Sequence, residues 1–184
     1  MIMKIFRTLS FILMLMVFMT GCSKNEYEAT DIKEVSGKKI VIDELELEVK
    51  SVDIRNEVKP SNPQGYYPHY KGEEGYHYIV FSGTLTNLSD KVYQMDRLRV
   101  TGEVDEEINQ AKLVLINEIE SYFWDEIGPG VSLDFYLFSI VDKDTDKIDN
   151  FYFYYDEDHK ITKDQTGFDC KVKYIVPEAL EPDE

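Results

Sequence analysis

Leu45, Leu47 and Val49 alternate with Glu46 and Glu48 in the stretch LELEV, and this period of two recurs along the chain. Successive side chains of an extended strand point to opposite faces, so such a stretch buries its apolar residues only as part of a sheet. The stretch YHYIVFSGTLTN, residues 76–87, sets His77, Ile79, Phe81 and Leu85 on one face and Tyr76, Tyr78, Val80, Thr84 and Thr86 on the other. Apolar residues on both faces predict a central strand. VSLDFYLFSIV brings Val131, Leu133, Phe135 and Leu137 together, NFYFYY aligns Phe151, Phe153 and Tyr155, and FDCKVKYIV aligns Phe168, Cys170, Val172, Tyr174 and Val176. Val52 and Ile54 fall out of phase with LELEV, and a bulge near Lys50 and Ser51 reconciles the two.

KVYQMDRLRVTGEV, residues 91–104, reads as a further strand. Residues 105–119 fit two periods, since Ile108, Ala111, Leu115 and Ile119 suit a helix while Leu113 to Ile116 suit a strand. A short helical turn followed by a strand from Lys112 is expected there. Between the first strands lies 55–75, a long loop with three prolines and three glycines. Seven or eight short strands with little helix predict an all-β antiparallel sandwich over residues 39–176.

The first residues follow a different rule. Lys4 and Arg7 precede an apolar run from Leu9 to Met19 that is interrupted only by Ser10, the layout of a secretory leader. The run falls short of the roughly 20 apolar residues that a spanning helix needs. Met19-Thr20-Gly21-Cys22 resembles the lipobox of bacterial lipoproteins, in which the chain is cut before the cysteine and the cysteine carries a diacylglyceryl group. That resemblance implies residues 1–21 as signal peptide, cleavage after Gly21, lipidation at Cys22 and a place on the extracytoplasmic face of the cell membrane. Residues 22–38 then read as the lipidated cysteine and a polar tether, which as a coil reaches roughly 20–24 Å. Residues 177–184 read as a frayed acidic tail.

A second resemblance concerns the body of the chain. The order LELEVKSVDI, then YIVFSGTLTNLSDKVY, then IGPGVSLDFYLFSIV is similar to the immunoglobulin-like domains of uncharacterised bacterial surface lipoproteins and the related mycobacterial secreted antigen. In that group an Asn ends the second strand and a Pro-Gly turn precedes an apolar strand, and Asn87 and Pro129-Gly130 match. The resemblance implies an immunoglobulin-like sandwich over most of residues 40–176 and brings no shared catalytic residues.

The formal charge is −16, and removing the leader takes away Lys4 and Arg7 and makes it more negative. Phosphate backbones are bound by clustered Lys and Arg, so nucleic acid is excluded as a partner. With Cys22 lipidated, Cys170 has no internal disulfide partner, and its place on the apolar face of its strand suits a core thiol.

Three sets of side chains invite functional readings. Tyr66, Tyr67, His69 and Tyr70 crowd the long loop, and rigid amphipathic rings give contact area at low entropy cost, so they form a candidate surface for a protein or glycan ligand. The same rings could instead fold back over the sandwich. Asp142, Asp144 and Asp146 alternate as in a calcium loop, but Lys147 and Phe153 stand where that loop needs Gly and Glu. A solvated turn competes with weak calcium binding. No nucleophile elbow, zinc-protease helix or phosphate loop is present in the sequence. The expectation is a non-catalytic binding module, with a hydrolase using a carboxylate pair, or a structural envelope component, as alternatives.

Overall fold

The structure, a computed structural model, describes residues 32–65, 67–117, 121–155 and 169–177, all within the unit Asp31–Glu184. The strands, in chain order, are β1 (Lys33–Ser36), β2 (Lys39–Ile42), β3 (Leu45–Arg55), β4 (Glu57–Val58), β5 (Tyr70–Lys71), β6 (Tyr76–Asn87) and β7 (Tyr93–Gln94). After a 3₁₀ turn at Met95–Arg97 come β8 (Arg99–Val104), β9 (Glu107–Ile116), β10 (Phe123–Trp124), β11 (Glu126–Ile127), β12 (Ser132–Asp142), β13 (Asn150–Tyr155) and β14 (Asp169–Ile175). Hydrogen-bonded neighbours run β1-β14-β13-β8-β9-β12-β6-β3-β2.

This path folds over on itself at β9. Glu107–Gln110 pair with β8, whereas Ala111–Ile116 pair with β12, so one strand serves two sheets. The result is a β-sandwich. Ile42, Leu45, Leu47, Ile79, Phe81, Leu85, Phe135 and Leu137 face Phe151, Phe153, Val172 and Tyr174 across the core. Phe81 and Phe151 meet edge to face, with ring centroids 5.2 Å apart. Each fully buried Leu, Ile or Phe contributes ~1.5–3 kcal/mol relative to exposure.

The central strand is β6, flanked by β3 and β12 as its two apolar faces predict. Its outer face joins a second cluster of Val58, Tyr78, Val80, Val114, Ile116, Tyr136 and Phe138, over which Tyr70 and Phe123 pack. The expected bulge in β3 is present. Val49 pairs with Gly83 and Ser51 with Ser82, leaving Lys50 as the extra residue. Past the bulge Val52 and Ile54 pair with Phe81 and Ile79 but stay 39% and 54% exposed.

Five expectations need correction. Residues 91–104 are not one strand, since β7 pairs with β11, the 3₁₀ turn intervenes and β8 pairs with β9 and β13. Residues 55–75 are not loop throughout, since Glu57 and Val58 of β4 pair with Lys71 and Tyr70 of β5. No helical turn precedes Lys112: β9 begins at Glu107, directly after a two-residue hairpin at Asp105 and Glu106. Both turn residues have positive φ, 48° and 68°, as tight hairpins require. The Asp105 amide donates to Asp149 Oδ2 at 2.8 Å, a tertiary bond that holds a turn lacking the usual glycine. The tether reading of 22–38 overshoots, since Lys33–Ser36 pair in parallel with Val172–Ile175 and Val35 packs on the core. Cys170 does not share the inner face of Val172. A register shift pairs Phe153 with Val172 but Tyr154 with Cys170, and the thiol is half-buried beside Tyr154 on the outer face.

Candidate functional site

A groove of about 720 Å³ opens where β9 leaves β8 to join the other sheet. Below the shared hairpin the two strands diverge, and the gap lies between Leu98–Val100 and Ala111–Val114. Pro68 and Tyr70 line it as well, and Phe123, which packs on Tyr70, continues with Trp124 and Asp125 as a second wall. Backbone and side-chain bonds hold that second wall. Met95 N donates to Asp125 O at 2.8 Å, Gln94 Nε2 donates to Glu126 Oε2 at 2.6 Å, and β7 pairs with β11.

The wall's aromatic residues are aimed by Asn117. Its buried side-chain oxygen accepts from the amides of Ser121 at 2.7 Å and Tyr122 at 3.0 Å, and the Asn117 amide donates to Tyr122 O at 3.3 Å. From this anchor β10 pairs Phe123 with Ile116 and Trp124 with Leu115. Alternation then sends the two rings apart. Phe123 turns into the outer cluster, 6.2 Å from Tyr70, while Trp124 remains 40% exposed and stacks on Tyr122 at 5.9 Å and 24°. Lys112 Nζ lies 5.0 Å from the centre of the Tyr70 ring, within cation–π range. Asp96, Arg99 and Gln94 complete the polar rim.

The residues singled out in the sequence are placed as follows. Tyr66, Gly21 and Cys22 lie outside the described residues. Tyr70 folds back onto Phe138 and Phe123 and enters the groove wall. Tyr67 is half-buried, with its ring 6.3 Å from that of His69, and exposed His69 bonds Glu57 Oε2 at 2.8 Å. Hydrogen bonds from Lys59 and His69 hold the Glu57 carboxyl below its usual range. Asp142, Asp144 and Asp146 are exposed on the β12–β13 turn, which His77 pins by donating from Nε2 to Thr145 O at 2.7 Å. Among the described residues no three His, Cys, Asp or Glu side chains are gathered to hold a metal, so the calcium reading finds no ligand set there. Burial pushes the Cys170 thiol up, away from the reactive thiolate.

Sequence reasoning passed over Tyr122, Trp124 and Lys112. The available signal was YFW, three consecutive aromatics just before a Gly-Pro-Gly turn and in no strand alternation. A second cleft of about 700 Å³ lies at the far end of the sandwich, between Val52, Ile79 and Phe81 on one sheet and Ile148, Ile175 and Val176 on the other side. Asp146, Lys147, Asp149 and Asn150 also line it, and it carries none of the exposed stacked rings.

No family model and no curated protein matches the chain. Among solved structures, an uncharacterised β-sandwich protein from Clostridium difficile 630 is similar at 19% identity, over 81% of this chain and 95% of that one, with a TM-score of 0.54. At that identity the likeness establishes the architecture and nothing of activity: this chain folds as a β-sandwich.

Proposed function

We propose that the chain is a lipid-anchored, extracytoplasmic binding module that holds a ligand in the groove between β8 and β9. The anchor reading rests on the leader and on Met19-Thr20-Gly21-Cys22, where a diacylated cysteine gives two chains, enough for stable attachment. The binding reading rests above all on the exposed Trp124, stacked on Tyr122 and lining a concave groove. Large aromatic side chains left in water at the lip of a pocket lose apolar hydration when they are covered, and they are enriched where binding energy concentrates. The ligand is a cell-surface protein or glycan.

One experiment addresses both halves. A photo-crosslinking amino acid in place of Tyr122, irradiated on intact cells, is expected to give discrete adducts that sediment with membranes. Adding Cys22→Ser is expected to move the protein out of the membrane fraction or to leave an uncleaved precursor. Absence of any adduct contradicts the binding reading, and unchanged processing and sedimentation of the Cys22→Ser form contradicts the anchor.

A further inference from the structure

We infer that the groove takes a neutral carbohydrate chain; this rests on the groove being a ligand site and names the ligand class. The first observation is the aromatic wall. Tyr122 backs the Trp124 indole, so the ring that lines the groove is held in place before any ligand arrives. The π face of such a ring carries partial negative charge. It therefore attracts the positively polarised C–H groups on the flat face of a pyranose, and little entropy is lost in ordering it.

The second observation is the charge of the rim. The chain as a whole has 36 acidic and 20 basic residues, yet the groove brings Lys112 and Arg99 together with Asp96 and Asp125. Two cations against two anions select for neither a polyanion nor a polycation. Ammonium and guanidinium groups only donate hydrogen bonds, ionised carboxylates only accept, and the Gln94 amide does both. A sugar hydroxyl does both as well, so a polyhydroxylated neutral chain suits a rim that mixes donors and acceptors.

Trp124 is the only tryptophan of the chain and lines both this groove and a smaller cleft beside Ile127, Gly128 and Leu133, so its emission reports a ligand held against either side of the ring. The test titrates the full chain, in mild detergent, with neutral hexasaccharides (cello-, xylo- and chito-oligomers), with acidic galacturonate oligomers, and with a pool of random decapeptides. A neutral oligosaccharide is expected to give a saturable blue shift. That response should persist as salt rises from about 0.05 to about 0.5 M, because screening weakens only charge-driven binding. Tyr122→Ala, which keeps the reporter, should weaken it by about tenfold, the scale of one aromatic contact. Both rings are exposed, so the thermal midpoint of that variant should stay within a few degrees of the parent, which separates loss of binding from loss of fold. A response to peptides alone overturns the carbohydrate assignment while leaving the groove a binding site. A response to acidic oligomers alone that disappears in high salt, or no response to any sugar, also overturns it. Silence towards sugars and peptides together with no crosslinked adduct at position 122 removes the binding reading itself.

Discussion

Gly83→Ala is expected to lower the stability of the chain by about 3 kcal/mol, at the upper end of what overpacking does in a filled core. A Cβ on Gly83 would lie 1.9 Å from the carbonyl oxygen of Glu48 and 2.9 Å from its carbon, with Phe135 Cε1 at 3.1 Å. A side chain could rotate aside, but the backbone of β3 cannot. Glu48 lies just before the Lys50 bulge, where β3 bends across β6, and the next amide, Val49 N, is tied to Lys38 O at 2.7 Å. The bulge and the glycine are thus one device. The control is Gly37→Ala, where a Cβ meets nothing within 4 Å among the described residues and the positive φ of 105° is strained; about 1 kcal/mol is expected there. Urea denaturation followed by far-UV circular dichroism ranks the two, and equal midpoints would contradict the packing argument.

The second large effect is expected at Asn87, which is 0% exposed. Its Nδ2 donates to the carbonyls of Lys91 at 2.7 Å, Ile127 at 3.1 Å and Gly128 at 3.2 Å, and its Oδ1 accepts from Ser89 N at 3.0 Å and Ser89 Oγ at 2.8 Å. Gly130 N donates to Asn87 O at 3.0 Å, so this residue clamps the end of β6, the following turn and the Gly-Pro-Gly turn together. Alanine would strand the buried Ile127 carbonyl in an apolar surrounding. An unsatisfied buried polar group costs about 1–3 kcal/mol, and the Oδ1 bonds to Ser89 are lost with it, so a loss of about 3 kcal/mol is expected. Thermal unfolding of Asn87→Ala measures it, and Asn87→Asp, which keeps the Oδ1 acceptor but loses the Nδ2 donors, should fall no closer to the parent than Asn87→Ala. A midpoint within a degree or two of the parent would refute the clamp. The same burial leaves no free amide on this sequon for a glycan. It also gives a physical reason why an Asn at a strand end and a Pro-Gly turn should occur together.

The strands were legible because their job is simple. Residues 45–49, 76–87 and 131–141 each bury one face or both, and the pattern of apolar side chains records this directly. Even the Lys50 bulge was visible, since it reverses the phase of Val52 and Ile54. Other features leave no such mark. The hairpin at Asp105 and Glu106 depends on Asp149, more than forty residues away, and exposed Ile108 supplied a false helical period. Strand β1 buries little beyond Val35, too few residues for a period to appear. The register shift opposite Lys171 turned Cys170 outward without any glycine or proline to announce it. The groove was least legible, because no single segment makes it: it exists where β8 and β9 part, and Tyr70 reaches it only by folding back from the loop.

Hydrogen exchange on the full chain, with and without an extract of cell-envelope material, asks where a ligand is held. The groove predicts slowed exchange in 94–99, 111–114 and 122–125 on addition of the extract, with 146–150 and 175–177 at the second cleft unchanged. Protection confined to the second cleft, or none anywhere, would contradict a binding module that works through Trp124 and its groove.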